Sequence, residues 1–428
     1  MDNFSDASMH LLNRLCLILA LVGLHGLALG AETLPLGTIR SSSGGPVGVF
    51  GDARLAGEAP AAPSIPVVSP ARLPGLDLGP AQTPARSMRA GAVVTAPSLV
   101  SEPQGGIEQA PDGSDPAAIL HACWTPAQLA GSPQDRTIQR GLKPDRTPPP
   151  EWAIRAAENA LPPLASELRG SIRGVEPADP QAHLVALTFD LCELASERSG
   201  YDAELVNNLR AQGVKATFFA GGKWLRTHPE QAMQLMADPR FEIGNHAWTH
   251  ANLRLVSGSE ARDQILWTQA QYQVLRRELA GRSCAQGAGP AALHQVPEWP
   301  SVFRFPYGTC NQGSLAAAAE LGLAACQWSV VTGDPAKGQS AQAIAKAVLA
   351  GVKSHRGAIV VAHANGHGWN TARSLPLFIP ELQRQGYRFV TLSELLAAGR
   401  PVTAMECYEE RPGDNRRYDT LFVRGTGR

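Results

Sequence analysis

Two histidines four residues apart, His246 and His250, open the chemistry of this sequence. On one helical turn an i, i+4 pair brings both imidazoles to a single metal ion. Ala247 stands between them where a zinc protease needs its catalytic glutamate, so chemistry of that kind is excluded. Asp190 follows the apolar run 184–189, and a carboxylate at the end of a buried strand is held rigid and partly desolvated, which suits a general base. Arg304, in Arg304-Phe305-Pro306-Tyr307-Gly308, can hold such a carboxylate through its planar fork. The Pro-Tyr-Gly turn after it can aim a backbone N–H at a developing oxyanion. Further along, Trp328 and Asp334 flank another strand end, and the apolar run Ile359-Val360-Val361-Ala362 terminates in His363. A histidine there can protonate a leaving group, with a nearby acid tuning its pKa. Taken singly, each residue has a plainer use as a helix cap, a surface ion pair or a satisfied histidine. Their convergence at strand ends points to a metal-dependent hydrolase.

The elements that must position these residues alternate. Strands are predicted at 184–189, 216–220, 241–244, 302–305, 325–331, 359–362 and 389–391, and helices at 202–212, 229–237, 259–279, 312–321, 341–354 and 374–385. Such alternation argues for an α/β chain with a parallel sheet, and its many repeats suit a barrel better than an open sheet. In a barrel the site forms where the strands end, which is where the candidate residues fall.

The rest of the chain bounds the setting. Arg14 precedes an apolar stretch, 15–29, ending in Ala28-Leu29-Gly30-Ala31, the pattern of a cleavable export signal over 1–31. Asp2 and Asp6 are out of place in such a signal, so Met9 is an alternative start, and an uncleaved membrane anchor is the rival reading. The expected location is therefore periplasmic, cell-envelope or secreted, with membrane contact only if the signal is retained. Residues 32–150 are rich in Pro, Ala, Gly and Ser and read as a mostly disordered linker, with a short ordered patch near 117–129. A globular domain is expected over 151–400, and 401–428 reads as a C-terminal tail that carries no readable function. The net charge of +0, with no basic run, excludes a nucleic-acid partner. Cys123, Cys192, Cys284, Cys310, Cys326 and Cys407 lie beyond the signal and allow disulfides whose pairing sequence cannot assign. His228, His294 and His355 are expected in solvent.

In order along the chain, Thr188-Phe189-Asp190, His246-Ala-Trp-Thr-His250, Arg304-Phe-Pro-Tyr307, Trp328…Asp334 and Val361-Ala-His363 resemble the motifs of the polysaccharide deacetylase (NodB-homology, carbohydrate esterase 4) family over about 183–398. The resemblance implies a distorted (β/α) barrel that removes N-acetyl groups from a hexosamine-containing polysaccharide (chitin-like, peptidoglycan or exopolysaccharide) with a divalent metal such as zinc. It implies Asp190 as base, His246 and His250 as metal ligands, and His363 as acid. Arg304 and Asp334 would orient base and acid, the Tyr307 N–H would meet the oxyanion, and Val361 would line the acetyl pocket. The sequence departs from the family where its third metal ligand, a second Asp, should stand: Leu191 follows Asp190. Glu193 is the favoured replacement, with Asp190 itself or Cys192 as alternatives, and a Cys192–Cys310 disulfide competes with the last. Val331 and Pro335 also depart from the fourth motif. These departures keep open a glycan-binding pseudo-enzyme, and the same site would serve an O-acetyl esterase.

Overall fold

A computed structural model of the chain describes residues 115–424. The expected export signal and most of the expected linker lie outside the described residues. Among those described, no helix is long and apolar enough to cross a membrane.

The described residues form twelve strands: β1 (Gln139–Arg140), β2 (Ser171–Pro177), β3 (Leu184–Leu191), β4 (Glu197–Arg198), β5 (Ala216–Ala220), β6 (Phe241–Asn245), β7 (Val302–Phe303), β8 (Ala324–Ala325), β9 (Val330–Val331), β10 (Gly357–His363), β11 (Arg388–Phe389) and β12 (Gly399–Ala404). β1 and β4 form a small antiparallel ribbon. The main sheet runs β12-β2-β10-β3-β5-β6-β7-β8, with β11 on β3 and β9 on β10. Every pairing from β10 through β8 is parallel, while β2 and β12 are antiparallel. An isolated bridge between Ile172 and Cys326, with the Gln327 N–H donating to the Ile172 carbonyl at 2.8 Å, draws the far end of the sheet back to β2. The sheet thereby curls into a distorted barrel.

Strand periodicity sorts the side chains between the barrel interior and the helical layer. On β3, Leu184 and Ala186 join an interior cluster with Phe219, Val302, Ile359 and Val361. Val185, Leu187, Phe189 and Leu191 face outward into a larger core shared with the helices. The interior parity continues to Asp190 on β3 and His363 on β10, which are register partners across two parallel strands. It also reaches Arg304, since Val302 is interior while Phe303 and Phe305 pack outside.

Several expectations give way. The single strand expected at 325–331 is two short ones, β8 and β9, which pair with different neighbours. The segment read as linker is ordered past the expected patch near 117–129: β1 pairs with β4 and Arg136 meets Asp202, while within the patch Ile119, Leu120 and Trp124 are buried and Cys123 is bonded to Cys284. The chain beyond 401 is no free tail either. β12 pairs along β2, Cys407 is bonded to Cys310, and the buried Asn415 donates to the carbonyls of Gly308 and Cys407. Cys310 is thus unavailable to Cys192, and Cys192 and Cys326 are free thiols. His228 is buried and stacked on Trp224, with ring centroids 4.9 Å apart; burial pushes its pKa down to about 4.

A disulfide closing a loop of this length restricts the unfolded chain, so the Cys310→Ser/Cys407→Ser double variant is expected to lose about 2–4 kcal/mol of unfolding free energy. Urea denaturation measures this, and an unchanged midpoint would mean the C-terminal segment is held by packing alone.

Candidate active site

Asp190 leaves the end of β3 and meets Arg304 at once: Nη1 donates to Asp190 Oδ1 at 2.8 Å. Arg304 is wholly buried, and its other donors reach the carbonyls of Cys326 (3.2 Å) and Gln327 (3.0 Å). Its guanidinium lies 4.1 Å from the centre of the Phe219 ring. Burial works against the charge of Asp190, but the Arg304 guanidinium beside it, with His363 further off, holds its pKa below the usual carboxylate value.

His246 follows β6, and the structure departs here from the expected helical turn. The segment 246–250 is a loop in which Ala247 (φ 60°) and His250 (φ 55°) are left-handed. A left-handed residue with a side chain costs about 1–3 kcal/mol and persists only where its surroundings enforce it. Those restraints are visible. Asn245 Oδ1 accepts from the Ala247 N–H (3.0 Å) while its Nδ2 donates to the Ile265 carbonyl (2.9 Å) of the long helix Gly258–Gly281. The Thr249 N–H donates to Gln264 Oε1 on that helix. The N–H groups of Gly222 and Lys223 take the carbonyls of Ala247 and Trp248, an approach that needs glycine, since a Cβ at Gly222 would run into Trp248. The rings of His246 and His250 finish with centroids 4.9 Å apart.

The tautomer of His246 follows from one contact. Its Nδ1 faces the Arg304 carbonyl at 2.9 Å, and a carbonyl can only accept, so Nδ1 carries the proton and Nε2 the lone pair. Nε2 is buried, has no hydrogen-bond partner, and looks at Asp190 Oδ2 across 3.6 Å. Burial lowers the pKa of His246, and burial with His246 and His363 nearby lowers that of His250 further, so both rings are neutral donors. Two acceptor atoms facing each other in a dry place are satisfied by a cation, so these residues fit the metal that the sequence implies.

Glu193, the favoured third ligand, turns away. Its parity is that of Leu191, the helix-facing side, and there it meets Lys223 Nζ at 2.6 Å, the Ser199 N–H and Thr227 Oγ1. Cys192 returns to the interior parity. Its Sγ and the imidazole nitrogens of His246 and His250 all lie within 4.8 Å of one another. Burial pushes the Cys192 thiol pKa well up, with Asp190 adding to the effect.

His363 forms the other half of the site. Asp334 accepts from its Nδ1 (3.0 Å) and its backbone N–H (2.8 Å), and is itself steadied by the hydroxyls of Thr332 and Thr371. Burial opposes protonation of His363, yet Asp334 and Asp190 outweigh it and hold its pKa above that of a free imidazole. Tyr307 occupies a left-handed turn (φ 58°) and its ring lies 4.3 Å from that of His250. Together these groups border a cleft of about 320 Å³ whose wall includes Val361, Trp328 and Glu197. Glu409 and Tyr418, from the C-terminal tail in which no function was readable, complete that wall, with Tyr418 5.3 Å from the Tyr307 ring. Neither had a sequence signal beyond the nearby Cys407.

The polysaccharide deacetylase family profile matches residues 178–281. A peptidoglycan-N-acetylglucosamine deacetylase of Listeria monocytogenes, PgdA, is 34% identical over 211 residues, which is 49% of this chain and 38% of that protein. This chain thus spans well under half the length of that relative. A peptidoglycan-N-acetylglucosamine deacetylase of Bacillus cereus is 33% identical over 222 residues, covering 50% of this chain and 69% of the relative. Among solved structures, a CE4 family pseudoenzyme from Bacillus anthracis is similar at 26% identity with a TM-score of 0.42, over 54% of this chain and 70% of that one.

Because Glu193 and Lys223 are both buried, Lys223→Met strands a carboxylate and is expected to cost about 3–5 kcal/mol of unfolding free energy. Glu193→Gln, which keeps a polar partner for Lys223, should leave divalent-metal binding by the purified protein unchanged, as elemental analysis after metal loading would show. Loss of metal binding in a folded Glu193→Gln variant would return that residue to the ligand set.

Proposed function

The chain belongs to the polysaccharide deacetylase family, and we propose that it removes N-acetyl groups from a hexosamine-containing polysaccharide, peptidoglycan or a chitin-like polymer, in the cell envelope or outside it. The observation that carries this is the pairing of Asp190 with His363 across adjacent strands, the pKa of one held low and that of the other held high beside the same cleft. Amide hydrolysis needs both: a base to take a proton from water and an acid to give one to the departing nitrogen.

Asp190 is the base. Arg304 occupies its Oδ1, which leaves Oδ2 toward the cleft to accept the proton. His363 is the acid. Asp334 engages Nδ1, so the Nε2–H is the proton available to the amine. Tyr307, which borders the cleft, is the residue whose backbone N–H would meet the carbonyl oxygen as negative charge grows there. Val361 lines the cleft beside these groups and receives the acetyl methyl. His246 and His250 would hold a divalent cation, zinc being one that suits imidazole donors; bound, it would supply Lewis-acid polarisation of the carbonyl and acidify water. The second reading, a glycan-binding pseudo-enzyme, draws on one observation: Leu191 gives no donor and its side chain lies in the outer core.

The test is acetate release from N-acetylglucosamine oligomers and peptidoglycan. Asp190→Asn and His363→Ala are each expected to lower turnover by about 10²–10⁴-fold at unchanged metal content. Oligomer binding without acetate would establish the binder, and acetate without new amine would make the protein an O-acetyl esterase. His363 must be protonated to act, and Asp334 raises its pKa, so activity is lost as pH rises through that pKa. Asp334→Asn should therefore move the alkaline limb of kcat/KM to lower pH; an unmoved limb would remove His363 from the acid role.

A further inference from the structure

Leu191 leaves the implied cation short of a protein donor, and we infer that the Cys192 sulfur supplies the third ligand, making a Cys-His-His site selective for a thiophilic divalent cation. The inference rests on the metal-dependent reading above and deepens it.

Among the described residues, Cys192, His246 and His250 are the one set of three His, Cys, Asp or Glu side chains whose donor atoms lie mutually within 4.8 Å. Asp190 approaches His246 at 3.6 Å but falls outside that set, and its Oδ1 is taken by Arg304. Glu193 is engaged on the helix-facing side by Lys223 and Thr227. An independent observation points to a ligand in the same place. His246 Nε2 is buried and unpartnered, with its lone pair set by the contact between Nδ1 and the Arg304 carbonyl. A closed tetrahedral zinc site, with Zn–S about 2.3 Å and Zn–N about 2.0–2.1 Å, would set its donors roughly 3.5 Å apart. The three side chains therefore need to close by about an ångström.

The sulfur is also oriented. Buried Asn365 reaches back to Cys192, with Nδ2 2.7 Å from its carbonyl oxygen and 3.0 Å from Sγ. A donor aimed at sulfur stabilises a thiolate and fixes its direction, the service that outer partners give metal ligands. Cys123, Cys284, Cys310 and Cys407 are consumed in disulfides, whereas Cys192 is free and lines the cleft. Ligation would proceed with loss of the thiol proton to solvent, the cation replacing it at sulfur. Thiolate and two imidazoles favour zinc and exclude magnesium or calcium, which require oxygen donors.

Cobalt(II) reports the ligand directly, because sulfur bound to cobalt gives a strong near-ultraviolet charge-transfer band. The full chain, stripped of metal and titrated with cobalt(II), is expected to bind one equivalent and develop that band. Cys192→Ser and Cys192→Asp should both lose it, the aspartate variant while still binding cobalt, and Cys326→Ser should keep it. Asn365→Ala should weaken cobalt binding by about 10–100-fold. One equivalent of cobalt bound without a charge-transfer band, or a band that survives in Cys192→Asp, would overturn the sulfur ligand and leave the deacetylase reading standing. No cobalt binding by the wild-type chain would overturn both.

Discussion

Arg304 brings a full positive charge into the barrel, where no water reaches it, and much of the site is arranged around making that tolerable. Removing such a pair of ions from water costs several kcal/mol per ion, and attraction offsets this only when the remaining donors are also satisfied. Here Asp190 takes one donor, the carbonyls of Cys326 and Gln327 take two more, and the Phe219 ring lies against the guanidinium. The carbonyl of the same residue fixes the tautomer of His246. One residue thus orients the base and prepares a metal ligand, and it joins the ends of β3, β6 and β8 in doing so.

The two halves of the cleft are tuned in opposite senses by the same means. Asp190 lies against the Arg304 guanidinium, which holds its pKa low despite burial. His363 lies against Asp334 and faces Asp190, which hold its pKa high despite burial. Parallel strands in register bring them together, so the separation of acid from base is built into backbone pairing rather than into flexible loops. The histidine loop is different. It holds left-handed residues in place through Asn245, Gln264 and the amides of Gly222 and Lys223, so its strain is carried by neighbouring helices.

What the sequence made legible was whatever obeys strand periodicity. Asp190, Arg304 and His363 end apolar runs, and alternation alone places them inside the barrel. The same alternation, applied past Leu191, would have set Cys192 inside and Glu193 outside, against the preference for a longer carboxylate. The spacing of His246 and His250 identified the pair but not its loop, because i, i+4 proximity arises from left-handed bends as well as from a helical turn. Order between 130 and 150, and beyond 401, was not legible because it comes from distant partners, β4 and Cys310 among them, which composition does not register. Tyr418 and Glu409 entered the cleft by that route.

The dependence of catalysis on the Arg304–Asp190 pair is tested most directly by a double-mutant cycle on kcat/KM for an N-acetylglucosamine oligomer, using Asp190→Asn, Arg304→Met and the double variant. If Arg304 acts on the reaction through Asp190, the double variant should be no slower than the slower single variant, within a few-fold, because groups that work as a unit are lost together. Losses that multiply in the double variant would mean that the two residues act independently, and that the buried pair is structural rather than the source of the base.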